Sequence, residues 1–229
     1  MQHQWRLWNW WMVLQVQKSN SLLCDETISE KAEQCSAFLF DTHCHLNDVA
    51  INWQPRLVIG GLAVVTNPDE ILNLRQQIIF NSSWKYAIGL HPWGVDKFVD
   101  WVEFEEIVES HVQLAIGEIG LDGYKPNWQL QIQVFERQLQ IASRHDRLIS
   151  VHLVKDHSEG CALIKASGVR RVIIHGFCGS LGLARQYQAQ GWLLGIGPRC
   201  LLRAGSKKCE MLLGLNRDLF VLESDAPYT

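Results

Sequence analysis

The sequence predicts a (β/α)8 TIM barrel, and two observations support this fold class. Eight short apolar runs recur along the chain, and polar or amphipathic stretches separate them. Six side chains of the types that bind metal ions stand at the ends of five of these runs. The carboxyl ends of barrel strands meet on one face, so such residues would converge there. A doubly wound open sheet is the alternative, but its first and eighth strands would lie too far apart to share a site.

The eight runs have the composition of buried parallel strands. They occupy residues 38–40, 57–65, 86–90, 114–116, 148–153, 171–174, 192–196 and 219–222. Several are nearly continuous in valine, isoleucine and leucine, which is typical of strands that are covered on both faces. The first crossover is the weakest part of the pattern, because only about a dozen residues separate His45 from the second run, near the minimum for a βαβ unit.

Two of the intervening stretches have helical spacing, with apolar side chains three or four residues apart. The longer one carries Ile132, Phe135, Leu139 and Ala142, and the shorter one carries Trp101, Phe104 and Val108. Asn127 precedes the longer stretch, where we expect it to cap the amino end of a helix. Strands that alternate with such helices indicate an α/β fold.

The two ends of the chain differ from the repeating part. Residues 1–37 are rich in tryptophan and then turn polar, and we expect them to lie outside the fold, with the barrel in residues 38–229. Their apolar run is interrupted by Asn9 and Gln15, so it is too short and too broken for a membrane span. Only seven residues follow the last run. A helix normally covers each barrel strand, so the sequence predicts a barrel that is incomplete at its C-terminus.

Composition limits the partners and the location of the protein. The 229-residue chain carries a formal net charge of −3, so no global positive field attracts nucleic acid or anionic membranes. A nucleic-acid substrate would therefore require a local basic patch. The seven cysteines are scattered without a CxxC pair, which favours reduced thiols and a cytoplasmic location. We expect a monomer.

Metal-binding side chains are concentrated at the ends of the predicted strands. They are His43, His45, Glu118, His152, His175 and Asp225. The His-x-His pair alternates along an extended chain, so both imidazoles point the same way. Singly, each residue has an ordinary structural explanation, such as a core histidine, a salt bridge or a turn. Their shared position at strand ends makes a joint metal site the better interpretation.

This set of ligands indicates which cations the site would hold. Four imidazoles and two carboxylates suit Zn²⁺ or Mn²⁺, and less obviously Mg²⁺. Glu118 could bridge two cations about 3.5–4 Å apart. Such a pair polarises a phosphoryl oxygen and activates a water, and Asp225 could accept the proton of that water. The sequence therefore predicts two divalent cations, with Glu118 and Asp225 as the catalytic carboxylates.

Five motifs of the chain resemble those of the TatD family in order and spacing. They are FDTHCHL at 40–46, GLHP at 89–92, GEIGLD at 117–122, HGFCGS at 175–180 and ESDAP at 223–227. The resemblance runs from about residue 38 to the end of the chain. It implies a metal-dependent (β/α)8 hydrolase, commonly a deoxyribonuclease with 3′→5′ exonuclease activity, and metal ligands at the six positions named above. It also implies that His91 and Asp122 line the pocket as substrate-binding residues.

The chain departs from the family pattern after the fifth and sixth runs. Val154 stands where members usually carry an arginine, and Lys155 or His157 could supply the phosphate contact instead. Cys178 stands where serine is usual.

A basic group follows the seventh run and consists of Arg199, Arg203, Lys207 and Lys208. A charge run is more often a solvated face than a binding site. Its predicted position at the barrel mouth nevertheless supports phosphate binding, with Arg199 as the first candidate.

Two other functions are compatible with the sequence. An amidohydrolase-type enzyme that cleaves C–N or C–O bonds also has His-x-His after its first strand. A carbamylated lysine commonly bridges the metals of those enzymes, however, where this chain has Glu118. The other alternative is a truncated, inactive homologue that binds metal. DNA or another phosphodiester is the substrate class that the sequence favours, with no membrane partner.

Overall fold

The computed structural model describes residues 39–45, 58–66, 84–201 and 205–228, which form a barrel of eight parallel strands. The strands are β1 Leu39–Cys44, β2 Val58–Val65, β3 Trp84–Ile88, β4 Ala115–Asp122, β5 Ile149–Val154, β6 Val172–Ile174, β7 Leu193–Ile196 and β8 Phe220–Leu222. Each strand pairs in parallel with the next one along the chain. The predicted fold class is confirmed, whereas the tryptophan-rich segment predicted to lie outside the fold falls outside the described residues.

Three strands continue past the metal-binding residues that were predicted to end or follow them. β1 runs through His43 to Cys44, and β4 runs through Glu118 to Asp122. His152 lies inside β5, two residues before its end. These side chains therefore project from within strands, which corrects the predicted boundaries. The apolar runs stop earlier because polar side chains take over at the barrel mouth, while the backbone keeps its ladder hydrogen bonds.

The barrel closes where the segment after β8 meets β1. Asp225 N donates to His43 O at 2.9 Å, and His45 N donates to Ala226 O at 2.9 Å. These are isolated hydrogen bonds rather than a full ladder, so the barrel is nearly closed. The closure brings Asp225 beside the His-x-His pair, which an open sheet could not do.

Among the described residues, α-helices follow strands β3 to β7. The α-helices are α1 Trp101–Ser110, α2 Trp128–Arg144, α3 His157–Ser167, α4 Leu181–Gln188, α5 Pro198–Leu201 and α6 Ser206–Leu213, with 3-10 turns at Pro92–Gly94 and Arg217–Leu219. The two helices predicted from apolar spacing, α1 and α2, are confirmed. Phe104 of α1 and Phe135 of α2 are buried in the main core. The crossovers from β1 to β2 and from β2 to β3 lie outside the described residues.

The amino end of α2 differs from the prediction in its cap. Asn127 is the residue before the helix, as predicted, but its side chain makes no capping hydrogen bond. Its backbone has a φ of 63° and a ψ of 35°, in the left-handed region. A capping side chain normally needs an extended backbone to reach the amides of the first turn. The helix start was predicted correctly, and the capping interaction was wrong.

The described cysteines are free thiols, as their scattered spacing predicts. They are Cys44, Cys161, Cys178 and Cys200. Burial raises the pKa of Cys200 to about 11, so this thiol stays protonated at neutral pH. Among the described helices, none combines the length and the apolar composition needed to cross a bilayer.

Candidate metal centre

Glu118 stands at the centre of a polar cluster at the barrel mouth. Its carboxylate is buried, and the four imidazoles that were predicted as metal ligands surround it. Oε2 lies 3.3 Å from His43 Nε2 and 3.7 Å from His45 Nε2. Oε1 lies 2.9 Å from His152 Nδ1 and 3.6 Å from His175 Nε2. The two carboxylate oxygens therefore face different groups of imidazoles, with His91 also 3.4 Å from Oε1, and this division is expected of a carboxylate that bridges two cations.

His43, His45 and Asp225 form one half of the cluster. The two Nε2 atoms face each other at 3.3 Å, and Asp225 Oδ1 lies 3.4 Å from His45 Nε2. The outer nitrogen of His43, Nδ1, lies 3.1 Å from Ser150 Oγ. A neutral imidazole carries one N–H, so donation from Nδ1 to Ser150 leaves the Nε2 lone pair directed into the cluster. That is the atom through which His43 could bind a cation.

His152 and His175 form the other half, and each has a carboxylate behind it. His175 Nδ1 lies 3.2 Å from Glu223 Oε1, and His152 Nε2 lies 3.5 Å from Asp122 Oδ2. In both rings the other nitrogen faces Glu118. A carboxylate behind a metal-binding histidine fixes the orientation of the ring and makes the inner nitrogen a better donor. The geometry therefore favours Glu223 as the residue that orients His175 and Asp122 as the residue that orients His152. Asp122 had been predicted to contact substrate.

Two glycines determine where the Glu223 carboxylate lies. Its Oε1 accepts a 2.7 Å hydrogen bond from the backbone N–H of Gly176. A Cβ atom at Gly195 in β7 would lie 2.0 Å from Glu223 Oε2, so a larger residue there would displace the carboxylate. Sequence reasoning included Glu223 in a motif but did not assign it a role. The sequence feature that could have indicated a role is its spacing of two residues from Asp225, because alternate residues share one side wherever a chain is extended.

The electrostatics of the cluster match a cation site. Burial would raise the pKa of Glu118, but the histidines packed around it hold it well below its usual range. Burial would lower the pKa of His175, but Glu223 and Glu118 raise it to about 10. Buried carboxylates need positive charge beside them, which a proton on His175 supplies here. A divalent cation would displace such a proton, and imidazole with carboxylate is a donor set that fits Zn²⁺ or Mn²⁺.

His91 lies beside the cluster but presents a different kind of atom to it. Its Nε2 is 3.4 Å from Glu118 Oε1, close enough to resemble a further ligand. Burial lowers the pKa of His91, so the ring is neutral. The backbone N–H of Trp93 donates to His91 Nδ1 at 3.2 Å, so the single ring proton stays on Nε2. A protonated Nε2 donates hydrogen bonds and offers no lone pair, which favours the predicted substrate contact over metal binding.

Lys155 and Arg199, the two predicted phosphate-binding residues, are both exposed after a strand of the barrel. Lys155 follows β5, and its Nζ lies 4.9 Å from the centre of the Tyr124 ring. Arg199 lies on α5, directly after β7. His157, the other candidate to replace the family arginine, pairs its Nδ1 with Tyr187 Oη at 2.9 Å. Lys155 and Arg199 therefore remain available to bind phosphate, whereas the Nδ1 atom of His157 is already paired with Tyr187.

The rest of the predicted basic group gives no further phosphate ligand among the described residues. Lys208 Nζ donates to the backbone oxygens of Cys178 and Gly179, so its ammonium holds the loop after β6. Arg203 and the side chain of Lys207 lie outside the described residues. The expectation of phosphate binding therefore does not extend to Lys208.

Two glutamines of α2 hold the loops after β3 and β4, and sequence reasoning missed both. Gln138 Oε1 accepts from Leu90 N at 2.7 Å, and its Nε2 donates to Leu90 O at 3.2 Å. Gln131 Oε1 accepts from Asp122 N at 2.9 Å, and its Nε2 donates to Pro126 O at 2.9 Å. Both side chains are fully buried. The sequence feature that could have revealed them is their spacing: two glutamines seven residues apart both fall on the apolar face of the helix.

Replacing Glu223 by glutamine is expected to weaken metal binding by about 10- to 100-fold, the usual effect of losing a carboxylate behind a histidine ligand. The amide keeps the size of the side chain but removes the negative charge beside His175. Competition with a chromogenic chelator measures the affinity. Gly195→Ala should act in the same direction, because its methyl group displaces the carboxylate. Glu210→Gln, at an exposed position of α6, is the matched control. Unchanged affinity in Glu223→Gln would contradict the positioning role.

Comparisons with known proteins identify related sequences and a related fold. The profile of the family described as TatD related DNase matches residues 40–229. YjjV of Escherichia coli (strain K12), named as an uncharacterized metal-dependent hydrolase, is 28% identical over 204 residues, covering 82% of this chain and 78% of YjjV. The Homo sapiens protein named deoxyribonuclease TATDN3 is 27% identical over 218 residues, covering 82% and 78% of the two chains. The crystal structure of YjjV, a TatD homologue, matches with a TM-score of 0.70 and 25% identity over 83% of this chain and 80% of that one.

Proposed function

Because this chain belongs to the TatD related DNase family, we propose that it hydrolyses phosphodiester bonds of DNA with two divalent cations. The observation that supports the two-metal chemistry most directly is Glu118, whose two oxygens face different groups of imidazoles. The human relative is itself named a deoxyribonuclease, which supports DNA as the substrate. A carboxylate in this central position also argues against an amidohydrolase-type enzyme, where a carbamylated lysine commonly bridges the metals.

Two groups of side chains would hold the cations. His43, His45 and Asp225 would bind one cation. His152 and His175, which both face Glu118 Oε1, would bind the other, and Glu118 would be shared. Such a pair, when bound, polarises a phosphoryl oxygen and lowers the pKa of a bound water. Asp122 and Glu223 would keep the two histidines of the second group in orientation.

Asp225 would accept the proton of the attacking water. Its side chain is 20% exposed, more than the imidazoles around it, so water can reach it. Burial would raise the pKa of Asp225, but the hydrogen bond from His45 and the charge of His175 hold it below its usual range. The carboxylate is therefore ionised at neutral pH and able to act as a base.

His91, Lys155 and Arg199 would bind the phosphate groups of the strand. His91 Nε2–H lies at the edge of the cluster and would donate to a phosphate oxygen there. Lys155 follows β5 and Arg199 follows β7, and both are exposed, so they would meet phosphates of the strand. The 3′→5′ exonuclease mode is also part of the proposal, and it comes from the resemblance of the motifs.

The purified chain is expected to bind up to two divalent cations per monomer. Elemental analysis after loading with Zn²⁺ or Mn²⁺ measures the content. A cation that binds only the folded state stabilises it, so chelation should lower the midpoint of thermal unfolding. Less than about half an equivalent in a folded sample, with the same thermal stability after chelation, would contradict the site.

A nuclease assay tests the reaction itself. Metal-loaded protein is incubated with single-stranded DNA labelled at the 5′ end, alongside esters and amides that lack phosphorus. We expect products that shorten stepwise from the 3′ end, and loss of cleavage on chelation. Hydrolysis of the amides or esters without DNA cleavage would favour the amidohydrolase alternative. Two bound metals with no hydrolysis of any substrate would favour an inactive homologue.

A further inference from the structure

Two exposed aromatic side chains border the metal cluster and take no part in the chemistry described above. Trp93 is 61% exposed and Tyr124 is 74% exposed, and they lie in the loops after β3 and β4. Asp122 connects them, because its Oδ2 accepts from Trp93 Nε1 at 2.7 Å and its Oδ1 accepts from Tyr124 N at 2.9 Å. The Trp93 ring centre is 6.3 Å from that of His152. Both aromatic residues are thus tied directly to the edge of the cluster.

Each of the two rings has a lysine ammonium over one face. Lys125 Nζ lies 4.0 Å from the centre of the Trp93 ring, and Lys155 Nζ lies 4.9 Å from the centre of the Tyr124 ring. More than half of each aromatic side chain stays exposed with the lysine in place. The four residues therefore combine accessible aromatic surface with positive charge, which is the combination that binds single-stranded nucleic acid.

Two buried glutamines of α2 hydrogen-bond the loops that carry these rings. Gln138 fixes the backbone just before Trp93 through Leu90, and Gln131 fixes the backbone on both sides of Tyr124. Burying two glutamines in the apolar face of α2 is costly unless each makes its hydrogen bonds, which both do here. A site that is ordered before binding loses less conformational entropy when its ligand arrives. This is consistent with a ligand that uses the rings as fixed surfaces.

We propose that Trp93, Tyr124, Lys125 and Lys155 form a stacking platform for unpaired bases of single-stranded DNA. The rings would take the faces of one or two bases, and the two ammonium groups would meet the adjoining phosphates. The proposal rests on the proposed function, since it names the form of DNA that the neighbouring cluster would cleave. It adds a recognition element, because the cluster by itself would contact phosphate, which paired and unpaired strands both present. A base that is paired within a duplex has no free face to offer.

The test compares two oligomers that differ only in their bases. Metal-loaded protein is titrated with a short oligothymidylate and with an abasic oligomer of the same length, both fluorescently labelled and both with cleavage-resistant phosphorothioate linkages. Fluorescence anisotropy gives the two dissociation constants. We expect the wild-type protein to prefer the oligothymidylate. Trp93→Leu and Tyr124→Leu should each lower that preference by roughly 5- to 150-fold, the range for losing one base–aromatic stack.

Two further variants separate stacking from other effects. Trp93→Phe keeps an aromatic face but loses the hydrogen bond to Asp122, so it should retain most of the preference. Phe98→Leu removes another exposed ring, 86% accessible, that lies outside the platform, and it should leave the preference unchanged. Thermal unfolding of every variant shows that it is folded.

The outcomes distinguish this proposal from the proposed function. Cleavage of DNA by a protein that binds both oligomers equally would overturn the platform and leave the nuclease function standing. A base preference that survives both leucine variants, or that falls equally in Phe98→Leu, would also overturn it. Equal affinity of the wild-type protein for a blunt duplex would do the same. A base preference lost in the leucine variants supports the platform even if the nuclease assay itself fails.

Discussion

Replacing Glu118 by glutamine is expected to reduce phosphodiester cleavage by at least about a hundredfold and to lower the metal content of the protein. Glutamine has the same size, but it has one acceptor oxygen where Glu118 has two, and no charge. Its amide NH₂ would therefore face one of the two imidazole groups, which removes a ligand from one cation and charge compensation from both. The steady-state rate on single-stranded DNA and elemental analysis of the same sample measure the two effects.

The matched control for this substitution is Glu136→Gln, which changes an exposed glutamate on α2. It alters the net charge of the protein by the same amount but lies outside the cluster, so rate and metal content should stay at wild-type values. A folded Glu118→Gln protein that keeps both its metals and its rate would refute the bridging role. Retention of the metals with loss of the rate would restrict the role of Glu118 to the chemical step.

Replacing Asp225 by asparagine is expected to lower the turnover number by at least about a hundredfold, the lower range for removing an acid–base group. Asparagine can still offer an oxygen to a cation, but it cannot accept a proton at neutral pH. The backbone of Asp225 has a φ of 55°, in the left-handed region. Asparagine tolerates that conformation, so this change preserves the local fold better than alanine would.

Kinetics at saturating metal separate the two roles of Asp225. Loss of the base should lower kcat with a smaller change in KM, whereas loss of a ligand should mainly raise the metal concentration needed for activity. Asp218→Asn, in the exposed turn before β8, is the control for the charge change. A kcat close to the wild-type value in Asp225→Asn would rule out a proton-accepting role.

Substitutions in the metal cluster and in the stacking platform are expected to have different effects. Substitutions at Glu118 and Asp225 should affect cleavage of any phosphodiester that reaches the site. Substitutions at Trp93 and Tyr124 should affect the choice between strands with and without accessible bases. The two sets of variants therefore divide the mouth of the barrel into a reacting part and a recognising part.

The barrel and the membership of the cluster could be predicted from the sequence because both depend on patterns that are regular along the chain. Apolar runs and helical spacing predicted the alternation of strands and helices, since burial on two faces or on one stripe requires those periods. The position of His43, His175 and Asp225 near strand ends then predicted their convergence, because parallel barrel strands end on one face. That geometric rule holds whatever the details of side-chain packing.

Only the tertiary structure decided which atom each residue presents and what lies behind it. His91 was predicted to contact substrate, and only the structure shows that the Trp93 backbone amide donates to its Nδ1 and so leaves its proton on Nε2. Asp122 was predicted to contact substrate, and only the structure shows that its Oδ2 accepts from Trp93, 29 residues away in the chain, and lies 3.5 Å from His152 Nε2. Such contacts join residues from different strands and loops, and they depend on distances of a few tenths of an ångström. Periodicity along one chain carries no information at that scale, because hydrogen-bond direction and tautomer are determined only when the separate elements pack together.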